Sequence, residues 1–400
     1  MPRTLVSNPC SERAASQRPG VYATLACTAT LLMLAATASA GPREQAKVMH
    51  DRLTGAPPTA DELDATSAQI ADGDAAGAAL AVTLDDGFYN VTLKNFIAPA
   101  TNRDQSVFVP LNDYSATFIG MVRDDVPMNT LLSADLVYVS EAAGLPAYSA
   151  TNNDHYEQLE SRGISLRDTL AARTQSQLTS LPATATAGIM TTRGAAEAFF
   201  IDGTNRAMFR FTLLNHMCRD LEQVADTSRP PDRIRQDVSR SPGGDSRLFL
   251  NNCIGCHSGM DPLAQAFAYY DFDENVNQLV YTEGQVQEKY GINEDTFKFG
   301  FVTPDDSWDN YWRTGRNGVI GWDENRPASG NGAKSLGEEL ANTEVFASCQ
   351  VTKVFRNVCL RDPVDAADRA QIETMTQAFK SDGYSLRPVF ADAAVYCMGE

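Results

Sequence analysis

The chain has 400 residues, 43% of them hydrophobic, and sets 33 Lys and Arg against 51 Asp and Glu for a formal charge of −18. That length supports two or three small domains around real cores. The acidic balance excludes nucleic acid as a partner and favours a basic protein surface.

At the N-terminus, Arg3, Arg13 and Arg18 precede the uncharged stretch VYATLACTATLLMLAATASA, which ends in Ala38-Ser39-Ala40. A basic leader, an apolar middle and a small-x-small end predict a secretory signal, residues 1–40, cut after Ala40. The rival, an uncleaved anchor, needs a more apolar span than this Ala/Thr-rich one. Nothing later is long and apolar enough to cross a membrane, so the expected protein is periplasmic or otherwise exported. Cleavage removes three Arg and one Glu, which takes the formal charge from −18 to −20. It also removes Cys10 and Cys27 and leaves Cys218, Cys253, Cys256, Cys349, Cys359 and Cys397. In an oxidising compartment these form disulfides or are held by a cofactor.

Glu44 to Leu53 reads as a helix ending at Gly55, and Thr59 with Glu62 forms a capping box that opens the next helix. Helical periodicity continues over 75–97, whereas 99–127 is irregular. The stretches 128–144 and 165–178 read as helices, and no alternating strand series is seen. In 206–224 the apolar stripe places Met217 and Cys218 toward the core, with His216 near its edge beside Phe209 and Leu213. Gly244 to His257 reads as a helix stopped by Gly259, with Asp261 and Pro262 opening another. The stretch 278–331 is Gly/Asn/Asp-rich and holds Trp308, Trp312 and Trp322. It reads as loops packed on their own aromatics, with a lid over a ligand as the alternative. Three closing helices are expected: Leu336–Arg361, Ala366–Lys380, and Ser385 to the end. The fold class is mainly α.

Residues 251–262, NNCIGCHSGMDP, carry the chemistry. Two thiols at Cys-x-x-Cys spacing meet the two vinyl groups of a haem, and a histidine directly after the second thiol lies under the iron as proximal ligand. Cys253, Cys256 and His257 fit this pattern and predict one covalently bound haem c. Leu248, Phe249, Leu263, Phe267 and Tyr270 would keep water off the macrocycle, and Arg233, Arg235, Arg240 and Arg247 either hold propionates or are solvated. A zinc site using Cys218 as fourth ligand is the structural rival, but no second metal-spaced pair exists. A redox dithiol lacks its βαβ setting. The sixth iron position is open to several residues. His216 and Met217 are the upstream candidates, while Met260 is too close in sequence to reach the opposite face. A filled sixth position means electron transfer, an open one ligand binding or peroxide chemistry.

The remaining cysteines are constrained by helix geometry. Cys349 and Cys359, ten residues apart on one helix, would be about 15 Å apart, too far to bond. Cys397 therefore pairs with one of them and Cys218 with the other. DFDENVNQ from Asp271 resembles a calcium loop but has Val276 where glycine is needed and Thr282 where a bidentate Glu is needed, and it reads as a turn.

The stretch CIGCHSGMDPLAQAFAYYDFDE resembles the haem motif of the planctomycete-type cytochrome c-like family, exported proteins built of domains of unknown function around one C-x-x-C-H. RLTGAPPTADEL, AGIMTTRGAAEAFF and the closing LGEELANTEVFASCQVTKVFRNVCLRDP and GYSLRPVFADAAVYC are similar to further segments of that family. Ala264 stands where the family has glycine, and Tyr269-Tyr270-Asp271 replaces its E-x-F pattern. The resemblance implies an exported, mainly helical, cytochrome-like protein and brings no substrate with it. The expected layout is an N-terminal helical domain over 41–190, a cytochrome c-like haem-binding domain over 191–332 and a C-terminal helical domain over 333–400. The expected role is one-electron transfer with a basic redox partner rather than enzymatic turnover. The alternatives are a haem enzyme or gas/peroxide sensor with an open distal site, and a zinc-stabilised non-redox binding protein.

Overall fold

The computed structural model describes residues 40–399, so the expected signal segment lies outside the described residues. The fold is mainly α, with 56% helix and 7% strand. The first helices follow local signals closely. Helix α1, Pro42–Thr54, has proline in its first turn and ends at Gly55, whose φ of 73° closes the C-terminus without Cβ strain. Helix α2, Ala60–Ala71, opens on the expected capping box of Thr59 and Glu62, and α3, Ala75–Val82, begins at the Asp74 cap. The helical reading of 75–97 breaks at Thr83–Asp85, after which the chain is helical again and a π turn covers Phe88–Leu93.

Three expectations fail here for identifiable reasons. Helix α4, Asp113–Arg123, lies inside the stretch read as irregular; it is buried on nearly every face, Asp113, Ser115 and Thr117 included, so polarity along it does not mark which residues are inside. Of the helices expected over 128–144 and 165–178 only single turns form, at Met128–Thr130, Leu166–Thr169 and Gln175–Leu178; between them run strands β1, Val137–Ser140, and β2, Leu170–Arg173, paired antiparallel with Tyr138 opposite Ala172. Four-residue strands are too short for alternation to declare itself, and the β-branched, aromatic Val137-Tyr138-Val139 run prefers the pleat. The single helix expected over 336–361 is two, α8, Gly332–Ala341, and α9, Glu344–Cys359, because Thr343 turns away to cap the second by accepting from the Phe346 amide. Helix α10, Ala366–Ser381, and α11, Arg387–Cys397, complete the chain.

Between these lie α5, Arg193–Phe199, α6, Arg206–Met217, and the motif helix α7, Ile254–Ala264. Two further antiparallel ladders follow, β3, Tyr270–Asp273, with β4, Gln278–Tyr281, and β5, Ser307–Asp309, with β6, Ser329–Asn331. The DFDENVNQ stretch is the β3–β4 turn, as read from sequence, with Asn277 left-handed at φ 55°. Segments 41–190, 191–332 and 333–400 contribute to one continuous hydrophobic cluster running from Ala46 to Cys397. Trp308, Trp312 and Trp322 all belong to it; the indole Nε1 of Trp308 donates to Ser335 Oγ at 2.8 Å and that of Trp322 to the Trp312 carbonyl at 3.1 Å. They are core, not lid.

Disulfides join Cys218 to Cys349 and Cys359 to Cys397, each with Cα atoms 5.5 Å apart. Cys349 and Cys359 lie on α9 and stay apart, as helix geometry requires. No helix among the described residues is long and apolar enough to cross a membrane.

Candidate functional site around the Cys-x-x-Cys-His motif

The motif sits on a continuous helical run. Asp245 caps Ser246–Leu248 by accepting from the Arg247 amide, a π turn covers Phe249–Cys253, and α7 continues to Ala264. A π turn inserts one residue into the helical register and re-aims the side chains around it. Helix α7 neither stops at Gly259 nor restarts at Asp261-Pro262. Gly259 is needed for packing: a Cβ there would lie 1.8 Å from Nε1 of Trp312, which is fully buried. Pro262 removes one backbone donor from the helix, and at this point α7 is tied to the fold by side chains instead.

Cys253 and Cys256, three residues apart, share one face of the run. Both thiols are free and half-buried, with Cys256 Sγ 3.5 Å from the Leu221 carbonyl. Burial, then the nearby Glu222, Cys253 and Asp220, pushes the Cys256 thiol up, which keeps it protonated near neutrality. Since Cys218 is bonded to Cys349, the zinc set proposed from sequence is left with three donors, one of them a thiol that resists ionisation.

His257 is 20% exposed. Its Nδ1 lies 3.0 Å from Asp261 Oδ1, one helical turn further along α7. With Nδ1–H donating, Nε2 carries the lone pair, and it makes no hydrogen bond among the described residues. Asp261 is completely buried. Its carboxylate accepts from Arg206 Nε at 2.7 Å, Arg206 Nη2 at 3.0 Å and the Arg235 amide at 3.3 Å. Burial alone would push this carboxyl up, but Arg206, then Arg235 and His257, hold it well below the usual carboxylate range. Asp237 completes the cluster, pairing with Arg206 at 2.6 and 2.9 Å. The result is an ionised carboxylate, fixed by two arginines, that orients the His257 imidazole.

Two thiols on one helix face beside an oriented imidazole fit the chemistry of covalent haem attachment. The flanking residues are arranged less as expected. Leu263, Phe267 and Tyr270 are fully buried in the main core, whereas Leu248 and Leu250 are exposed beside the motif. Phe249 packs on Ile234 and Val238, with Cys253 and Ile254 against that small cluster. Of the four arginines, Arg235 is buried over the Tyr290 ring, Arg233 pairs with Asp309 and Gln265, and Arg240 lies between Phe249 and Phe297. Arg247 alone stands well into solvent, beside Asp245.

His216 is not at the edge of its helix stripe but fully buried, its Nε2 2.6 Å from the Tyr114 hydroxyl. Burial holds its imidazole well below the ordinary histidine range. Met217 is fully buried in the main core. His155 is committed at both nitrogens, to the Ser140 amide at 3.0 Å and the Pro146 carbonyl at 2.7 Å. Sequence reading took Asp261 for a helix cap and missed it as the partner of His257. The signal was the i, i+4 spacing of the two residues, visible only once the helix is known to run through both.

Comparison with family models, with curated proteins and with solved structures found no match.

Proposed function

We propose that this is an exported, monohaem c-type cytochrome that passes single electrons to or from a basic protein partner. The observation that carries the reading is the sorting of the cysteines. Four of the six beyond residue 40 are bonded in pairs, and the two left free, Cys253 and Cys256, are those next to an oriented histidine.

Cys253 and Cys256 would each add a thiol across one haem vinyl group, the sulfur bonding one vinyl carbon and the thiol hydrogen passing to the other, with no net redox change. His257 would present Nε2 as proximal ligand, held in that tautomer by Asp261. The haem supplies a one-electron Fe(III)/Fe(II) couple. Export accords with the two disulfides, and the resemblance to the planctomycete-type cytochrome c-like family points the same way.

A second reading, a haem enzyme or gas/peroxide sensor with an open distal site, is favoured by one observation: His216 and Met217 are both locked into the core. Oxidised and reduced absorption spectra of the exported protein, with and without CO, separate the two. A low-spin c-type spectrum indifferent to CO supports electron transfer. A high-spin spectrum shifted by CO overturns it in favour of the open site. Absence of haem bands removes both.

A further inference from the structure

Far from the motif in sequence, three donors converge from three elements: His50 of α1, Glu62 of α2, and Asp85 just beyond α3. One ligand atom from each lies within 4.8 Å of the other two. They line a cavity of about 500 Å³, together with Ala65, Val82 and Arg167.

The donors are held in place by their own neighbours. The His50 side chain is only 6% exposed. Its Nδ1 faces the Ala56 carbonyl at 3.1 Å, with Thr54 Oγ1 at 3.2 Å. Donation to the carbonyl fixes the tautomer in which Nε2 carries the lone pair. Nε2 is aimed at Glu62 but lies 3.8 Å from its Oε2, beyond hydrogen-bond reach, and it makes no hydrogen bond among the described residues. The His50 side chain is thus almost fully buried, while its Nε2 opens onto the cavity beside the Glu62 carboxylate with no protein hydrogen bond of its own. Glu62 Oε2 accepts from the backbone and hydroxyl of Thr59, both at 2.7 Å, and the backbone bond holds the carboxyl below its usual range. Asp85 Oδ1 accepts from the Gly87 amide at 2.6 Å. The one cation in the wall, Arg167, is turned to Asp168 at 2.9 Å and Asp86 at 3.6 Å.

We propose that His50, Glu62 and Asp85 form a binding site for one divalent transition-metal cation of the zinc class. One imidazole nitrogen and two carboxylates suit a borderline cation, and two negative charges neutralise it. A histidine whose other nitrogen is tied to a backbone carbonyl is the usual arrangement of a metal-bound imidazole. Bonds of about 2.0–2.2 Å require the donors to close in; Glu62 and Asp85, both partly exposed, have room to move, at the expense of their bonds to Thr59 and Gly87. The fourth position faces the cavity and solvent. Sequence reading assigned Glu62 only to its capping box, and the other two donors carry no motif.

The test is calorimetric titration of Zn²⁺ into the full chain exported from cells that cannot attach haem, with the Cys253 and Cys256 thiols alkylated, so that the motif cannot bind the metal and the outcome does not depend on haem. One equivalent is expected to bind with micromolar or tighter affinity. His50→Gln should weaken it at least tenfold with the circular dichroism unchanged, and Asp85→Asn should do the same should His50→Gln fail to fold. No binding at millimolar Zn²⁺, or binding indifferent to both substitutions, overturns the proposal.

Discussion

Asp261→Asn tests the site most sharply, because it removes one charge and almost no volume. Asp261 is completely buried and accepts from Arg206 twice, from the Arg235 amide and from His257. An amide keeps one acceptor oxygen and turns an NH₂ toward the second set of donors. Breaking a buried ion pair costs about 3–5 kcal/mol. Asp237 still bridges Arg206 at 2.6 and 2.9 Å, so the guanidinium keeps a partner and the cost should be near the lower figure. With haem bound as proposed, the effect on its potential has a definite sign. A carboxylate on Nδ1 makes His257 a more electron-rich ligand, which favours Fe(III) over Fe(II). Loss of such a partner typically costs about 10–100-fold in metal affinity. If that factor falls on the ferric state, the midpoint potential rises by about 60–120 mV at about 59 mV per tenfold for one electron. Spectroelectrochemical titration of wild-type and Asp261→Asn holoprotein reads the shift, and urea unfolding reads the stability. A folded variant whose potential is unchanged or lower would show that Asp261 does not act on His257.

Three further outcomes follow from the packing. His216 is buried and holds its proton less well when folded than when unfolded. Between its depressed folded value and about 6.5 the unfolded chain therefore binds more protons, and stability falls with falling pH by up to about 1.4 kcal/mol per pH unit. Urea midpoints between pH 7 and 5 should show a slope that is smaller in His216→Gln by that amount, and equal slopes would contradict the assignment. Gly259→Ala drives a Cβ into the Trp312 indole and should cost about 1–3 kcal/mol of overpacking; an unchanged melting temperature would mean that α7 does not pack there. Replacing both Cys359 and Cys397 by Ser opens a loop spanning 38 residues and should cost about 4 kcal/mol by loop entropy. A chemical-unfolding loss under 1 kcal/mol would count against the bridge.

What was legible in the sequence is what local chemistry decides. Gly55, Thr59 with Glu62, and the last two helices declare themselves because caps and amphipathic stripes involve neighbours a turn apart. The motif is legible for the same reason, since its three donors lie within five positions. Readings failed where a distant partner overrides a local signal. Gly259 has the look of a helix stop, yet it is small because Trp312, far along the chain, rests on it. Asp261-Pro262 has the look of a helix start, yet the carboxylate is taken by His257, Arg206 and Arg235. Helix α4 is hidden because polar Asp113, Ser115 and Thr117 are buried on it alongside the apolar residues, and β1 and β2 because each is defined only by the other. Helix spacing on α9 excluded a Cys349–Cys359 bridge, but only the packing of α6 and α11 against α9 selects Cys218–Cys349 and Cys359–Cys397 over the alternative pairing.

The central claim, covalent haem on Cys253 and Cys256, is tested most directly on denatured protein. The chain is exported from cells able to mature c-type cytochromes, unfolded, separated from free cofactor, and read by intact mass and haem absorbance. One haem per chain should travel with the unfolded polypeptide, and the Cys253→Ser/Cys256→Ser chain should carry none. A wild-type chain that is exported with both disulfides formed, yet has a haem-free mass and two thiols open to alkylation, would contradict the account.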